Sequence, residues 1–217
     1  MMLTYKKIIL LVLVCLVVNI NGFAQINIAN EEAKCAALYS KLLQFRGSNF
    51  DSTYFYSEAF EKTFIKLITN NPATFNHKFE KLTGRGIGFI RISPDQKLKT
   101  YSWDTWQGGT AHMFKTIRQW KANGKVYSEV SPNTPEDFGS FCSKIFTVHI
   151  RNKPHYLVIT NSIFSTKYSS QTVTAYAING NNLSKSSIFH TKTKTLHTIP
   201  VDFDFFSVVD RPERRWS

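Results

Sequence analysis

Residues 93–114 read SPDQKLKTYSWDTWQGGTAHMF, and the parsing of this stretch decides the fold. Pro94 and Asp95 are turn formers: proline presets φ at the first corner, and an aspartate side chain bonds nearby backbone. The run from 97 to 103 is short and carries Thr100, Tyr101 and Trp103, residue types that suit a pleated strand. DTWQGG, residues 104–109, then makes a longer connection. A tight turn, a strand and a long connection form the unit.

The unit recurs downstream. Tight-turn residues return at Asn123-Gly124, Asn152-Lys153-Pro154 and Gly180-Asn181-Asn182, the four turns starting 28 or 29 residues apart. This spacing predicts four hairpins with strands near 87–93, 97–103, 110–120, 125–130, 140–150, 155–161, 172–179 and 183–190, and a ninth strand near 196–206. Upstream the periodicity is helical. Asn30 reads as an N-cap followed by Glu31 and Glu32, with Cys35, Leu38, Leu42 and Phe45 on one stripe. A second segment begins near Ser57, carries Phe60, Phe64, Leu67 and Ile68, and stops before Pro72; a third carries Phe75, Phe79 and Leu82 and ends at Gly84.

The expected fold is therefore α+β, with N-terminal helices over about 28–83 packed on a long antiparallel up-and-down β-meander over about 86–206. Such a meander forms a curved sheet, barrel-like or propeller-like in its closure. Its tight turns share one end, so the connections at 104–109, 131–139 and 162–171 gather at the other. Loops carried on a rigid sheet are where binding residues concentrate. That end collects Trp103, Asp104, Trp106, Gly108, Gly109, His112 and Tyr168 as ligand-binding candidates, with Phe138 beside them. The competing reading of the tryptophans is that they plug the open end of the sheet.

The N-terminus reads as an export signal. Lys6 and Lys7 precede the apolar run Ile8 to Val18, and Gly22 and Ala24 are the small residues a signal peptidase needs before Gln25. The run is shorter than the roughly 20 residues of a membrane span, and nothing later in the chain is apolar enough to cross. Cys15 invites a lipoprotein reading, against which Val14 stands where a small residue is needed. Removal of 1–24 leaves 193 residues, enough for one domain, with 25 basic against 15 acidic side chains. In an exported, periplasmic or extracellular protein this balance points away from nucleic acid and towards envelope glycan, lipopolysaccharide, anionic lipid or an envelope protein. The lysines are scattered, however, as on a solvated face.

Export permits a Cys35–Cys142 disulfide, which would stabilise the fold by about 4 to 5 kcal/mol through loop closure. A helical stripe also suits a free Cys35 as a small core residue. The two alternatives stay open here.

Enzyme motifs are sparse. Gly84, Gly86 and Gly88 follow a helix and open a strand, the reverse of a dinucleotide loop. The six histidines include no H-E-x-x-H; with His155 set opposite Ile150, His149 faces the other way, and no metal or other cofactor is indicated. No G-x-S-x-G elbow occurs. The carboxylates at the long-loop end are Asp104, Glu129, Glu136 and Asp137; a pair about 5 to 9 Å apart would suit a glycosidase, but Glu136-Asp137 and Asp104 also suit plain turns.

SPDQKLKTYSWDTWQGGTAHMF, together with DFDFFSVVDRPERR near the C-terminus, resembles a family of exported Bacteroidota proteins of unknown function. Its members carry a Ser-Pro-Asp-Gly-Lys turn, a Tyr-Ser-Trp-Asp strand, a Thr-Gly-Gly-Thr loop and a similar C-terminal motif. The resemblance covers most of the chain after residue 24 and implies a shared fold and export, with no activity attached. Gln96 replaces the turn glycine, which a type I turn tolerates. The family also continues into a further hairpin where this chain ends at RPERRWS, which would leave a sheet edge uncovered.

The expected role is non-enzymatic binding or envelope interaction through the long-loop end. The alternative is a hydrolase, for example a glycoside hydrolase, using Asp104 with His112. N-terminal sequencing of the exported protein should begin at Gln25; an intact Met1 would overturn the export reading.

Overall fold

The computed structural model describes residues 28–84, 89–132 and 137–204. The expected leader, Gly86, Gly88, Glu136 and the FFSVVDRPERR segment lie outside them. Helix α1 occupies 28–45, α2 Phe50–Asn70, a 3-10 turn Pro72–Phe75 and α3 Glu80–Thr83. Sheet A follows, made of β1 (Phe89–Ile92), β2 (Leu98–Asp104), β3 (Phe114–Ala122) and β4 (Lys125–Val130) in sequential antiparallel order. Sheet B holds β5 (Phe141–Ile150), β6 (Lys153–Ile163), β7 (Tyr168–Asn179), β8 (Asn182–Lys185) and β11 (Thr198–Asp204). A small hairpin, β9 (Phe189–His190) with β10 (Thr195–Leu196), links β8 to β11.

The protein is thus α+β with antiparallel sheets, and the sheets are open, closing into neither a barrel nor a propeller. The meander breaks twice. After β4 the chain leaves sheet A, and β5 packs on β1, β2 and β3 instead of pairing with β4. β8 is short and covers only Tyr176–Asn179 of β7, so β11 takes the remaining stretch of that edge, Tyr168–Thr174.

Every residue of β2 is buried, because sheet A lies between two layers. Tyr101, Trp103 and Ile117 face the helices and join Cys35, Tyr39, Leu42, Phe60, Phe64 and Phe79 in one core. Leu98, Trp120 and Ala122 face sheet B and join Cys142, Ile145, Tyr156, Val158 and Tyr176 in a second. Cys35 and Cys142 are free and belong to cores on opposite faces of sheet A. The disulfide alternative is corrected on that ground, since a bridge would have to pass through the sheet. Burial pushes both thiols up, Cys35 to about 12.

Polar groups set the layers in register. Ser102 Oγ sits 2.9 Å from Thr116 Oγ1 and accepts from Cys142 N, while Thr116 Oγ1 donates to Ser140 O. On the helix side, Lys99 Nζ donates to the carbonyls of Phe75 (3.0 Å) and His77 (2.7 Å), and Gln119 Nε2 to that of Ile68. The C-terminal carbonyls of α2 and of the 3-10 turn thereby find partners inside the protein. Burial first, and then the nearby Lys121 charge, hold the Lys99 ammonium down to about 8.

Several local expectations change, among them the third helical segment, which is split into the 3-10 turn Pro72–Phe75 and the short α3, with Phe79 left-handed between them. Residue 28 is already helical, so Asn30 lies within α1 rather than capping it. Glu32 turns to the buried face, where its carboxylate accepts from Lys81 N (2.7 Å), Leu82 N and His77 Nε2, so that α1 caps α3. Helix α2 begins seven residues before Ser57, with Asn49 Oδ1 accepting from Ser52 N. Its first turns expose Phe50, Tyr54 and Phe55, so apolar periodicity could not register them. The β5–β6 turn is Arg151-Asn152, both at positive φ (50° and 61°), one residue earlier than expected. His155 therefore pairs with Val148, and His149 still takes the opposite face.

Gln96 is left-handed, with φ 54°, and not a residue of a plain type I turn. Ser93 Oγ and Asp95 Oδ1 hold the turn by accepting from Lys97 N, while the Tyr156 hydroxyl donates to Asp95 Oδ2 and ties it to sheet B. A non-glycine residue pays about 1 kcal/mol for this conformation. Gln96→Gly should raise unfolding stability by about that amount in urea denaturation; a loss would show that the Gln96 side chain carries compensating contacts.

Candidate functional site

The connections after β2, β4 and β6 converge at one end, but the third is a turn of residues 164–167 and not the expected loop over 162–171, because Ser162 and Ile163 pair with Ser170 and Ser169 in the sheet. His112 N donates to Ile163 O (2.9 Å), Phe114 N to Phe138 O (2.7 Å), and Ser162 Oγ to Gly139 O (2.9 Å). The tight turns meet at the other end, where Asn123 Nδ2 donates to Asn181 Oδ1.

Asp104, the last residue of β2, organises the loop that follows. Its side chain is almost fully buried; Oδ1 accepts from Trp106 N at 2.8 Å and Oδ2 from His112 Nδ1 at 2.5 Å. Thr105 N donates to Met113 O at the neck of the loop. The Asp104 contact engages Nδ1, so Nε2 is the other edge of a partly exposed imidazole. Trp106 sits at φ 56°, with the Arg46 guanidinium 4.2 Å above its ring and the His112 ring edge-on at 5.4 Å. The loop is a built structure, bonded at both ends and stacked on the turn after α1.

The candidate residues therefore divide. Asp104, Trp106 and His112 form one contact set. Trp103 is not at the surface: it is fully buried, edge-on to Phe60 and Phe64, as the plug reading had it. Tyr168, the first residue of β7, is half exposed, with Lys167 5.0 Å from its ring. Phe138 packs on Phe164. Of the carboxylates, Glu129 is paired with Arg118 at 2.9 Å, and Asp137 Oδ1 accepts from Gly139 N in a turn. Asp104 is committed to His112 and Trp106, whereas Asp137 reaches the lining of the groove described below. Among the described residues no cluster of three His, Cys, Asp or Glu side chains could hold a metal ion.

Beside the loop runs a groove of about 840 Å³, bounded on one side by α2 and on the other by the 105–113 segment. Tyr54, Glu58, Ile65 and Lys66 line it from the helix, and Thr105, Gln107 and Met113 from the loop. Asp104, Trp106 and His112 are not in that lining. They stand behind the wall and hold it in shape. Sequence reading missed the helix side altogether, because Tyr54 belongs to the front of α2, where Phe50, Tyr54 and Phe55 are exposed and leave no buried periodicity to read.

Comparison of the chain with protein-family models, with curated proteins and with solved structures gives no match.

Gly108 and Gly109 serve different ends. A Cβ at Gly108 would lie 2.1 Å from Ala111 O, whereas at Gly109 the space is open and the demand is φ 64°. Gly109→Ala should cost about 1 kcal/mol from backbone strain, and Gly108→Ala about 2 to 3 kcal/mol, because backbone must move. Equal losses in urea denaturation would show that the Gly108 contact relaxes freely.

Proposed function

We propose that this protein is an exported, non-catalytic binding protein that seats a segment of envelope glycan in the groove between α2 and the 105–113 loop. The observation that carries the reading is the groove itself, about 840 Å³ in volume, at the end where the long loops meet. Its wall is held by the buried Asp104 carboxylate through two hydrogen bonds, so little ordering is left for the moment of binding. Tyr54 offers a half-exposed ring and Ile65 and Met113 an apolar floor, while Glu58 and Lys66 supply charged hydrogen-bonding groups. A sugar ring, apolar on its faces and hydroxylated at its rim, suits such a lining. Export and the resemblance to the uncharacterised Bacteroidota family are part of the same proposal.

One observation favours a second reading, the 2.5 Å contact between Asp104 Oδ2 and His112 Nδ1. A buried carboxylate orienting an imidazole is how a general base is held. In a hydrolase of this kind His112 Nε2 would take up the proton of the attacking group, and Asp104 would orient the ring through Nδ1.

The test is a tryptophan-fluorescence titration of 25–217 with peptidoglycan fragments and lipopolysaccharide oligosaccharides. A saturable change weakened at least tenfold by Tyr54→Ala, about 1.4 kcal/mol, supports the groove. Silence across the panel from folded protein overturns it. Asp104→Asn should leave affinity within a few-fold; turnover by the native protein that disappears in Asp104→Asn would replace binding with hydrolysis.

A further inference from the structure

Among the described residues, sheet B buries only one of its faces. Ile145, Tyr156, Val158 and Tyr176 point into the second core, so the alternate residues of the same strands point outwards. The register aligns them: Phe146 pairs with Leu157, Ile159 with Val173, Val173 with Ile199, and Gln171 with Val201. Solvent-facing strand positions are ordinarily polar. Here Phe146 is 42% exposed and Val201 58%, and neither core includes Leu157, Ile159 or Val173.

Charge on this face has one sign. Lys144 lies beside Ile159 in the register with its ammonium 4.7 Å from the Phe146 ring, and Lys153 pairs with Ile150. Residues 141–204 contain seven Lys and Arg but only two acidic residues, Asp202 and Asp204. Both alternate with Val201 and Phe203 along β11 and so take the inner face, where Asp204 meets Lys167 at 3.1 Å. The outer face of the described strands therefore presents apolar side chains, cations and the neutral hydrogen-bonded pair Gln171–Asn161, with no carboxylate.

We propose that the outer face of sheet B docks on a membrane leaflet bearing anionic phospholipid headgroups. Phe146, Ile199 and Val201 enter the apolar boundary of the leaflet, and Lys144 and Lys153 lay their stems on the sheet and place their ammonium groups among the phosphates. A second copy of the chain is a poor occupant, since face-to-face packing would bring lysines together with no carboxylate to pair them. Docking uses a different surface from the glycan groove and does not depend on it.

The experiment is co-sedimentation of 25–217 with vesicles of phosphatidylcholine alone and of an equal mixture with phosphatidylglycerol. Binding is expected only to the mixed vesicles and should weaken as salt rises. Val201→Glu and Lys144→Glu should each lower it at least tenfold with an unchanged far-ultraviolet spectrum, and Tyr54→Ala should leave it unaltered. Lys41→Glu, an exposed position on α1, makes the same charge change elsewhere. Equal loss in Lys41→Glu would reduce the effect to general charge and overturn the proposal. So would failure to sediment, or a concentration-dependent dimer abolished by Val201→Glu.

Discussion

The architecture depends on one strand with no free face. β2 is buried along its whole length because alternate side chains serve two cores, Tyr101 and Trp103 under the helices, Leu98 and Thr100 against sheet B. A strand in that position must fill two different spaces at once, with large rings on the helix side and smaller groups on the other. A register slip of one residue would exchange the sets and leave Trp103 against sheet B. Two of the polar side chains that β2 carries inwards are matched: Lys99 meets carbonyls of the 72–77 segment, and Ser102 meets Thr116 and Cys142 N.

The loop end inherits its shape from the same strand. β2 ends at Asp104, and a carboxylate brought there by the strand has little solvent to turn to. It takes its partners from the following loop instead, bonding Trp106 N and His112 Nδ1. Positive φ at Trp106 and Gly109 and the close approach at Gly108 are consequences of that closure. The residues most suggestive of chemistry thus shape a wall, and their less conspicuous neighbours Thr105, Gln107 and Met113 face the groove.

Much of this was legible in advance. The four tight turns fall where proline, asparagine and glycine place them, with the third displaced by one residue, because Pro154 tolerates a strand position while Arg151 and Asn152 take the two left-handed corners. The gathering of long loops followed from hairpin geometry. The front of α2 was not legible, because Phe50, Tyr54 and Phe55 are exposed there and periodicity is informative only where a face is buried. Nor was Glu32 as a cap: the letters place it near a helix start, and its partners on α3 are some fifty residues away.

The sequence by itself determined the order and kind of the elements, the turns that join the hairpins and the end at which the long connections meet. These rest on short-range causes, the allowed φ of a few residues and the period of buried side chains. Tertiary structure alone decided that the meander splits into two open sheets, that β11 returns to β7, that the cysteines fall on opposite sides of sheet A, and that α2 supplies half of the groove. Each of these turns on which distant surfaces bury one another, and no local pattern of residues records that competition.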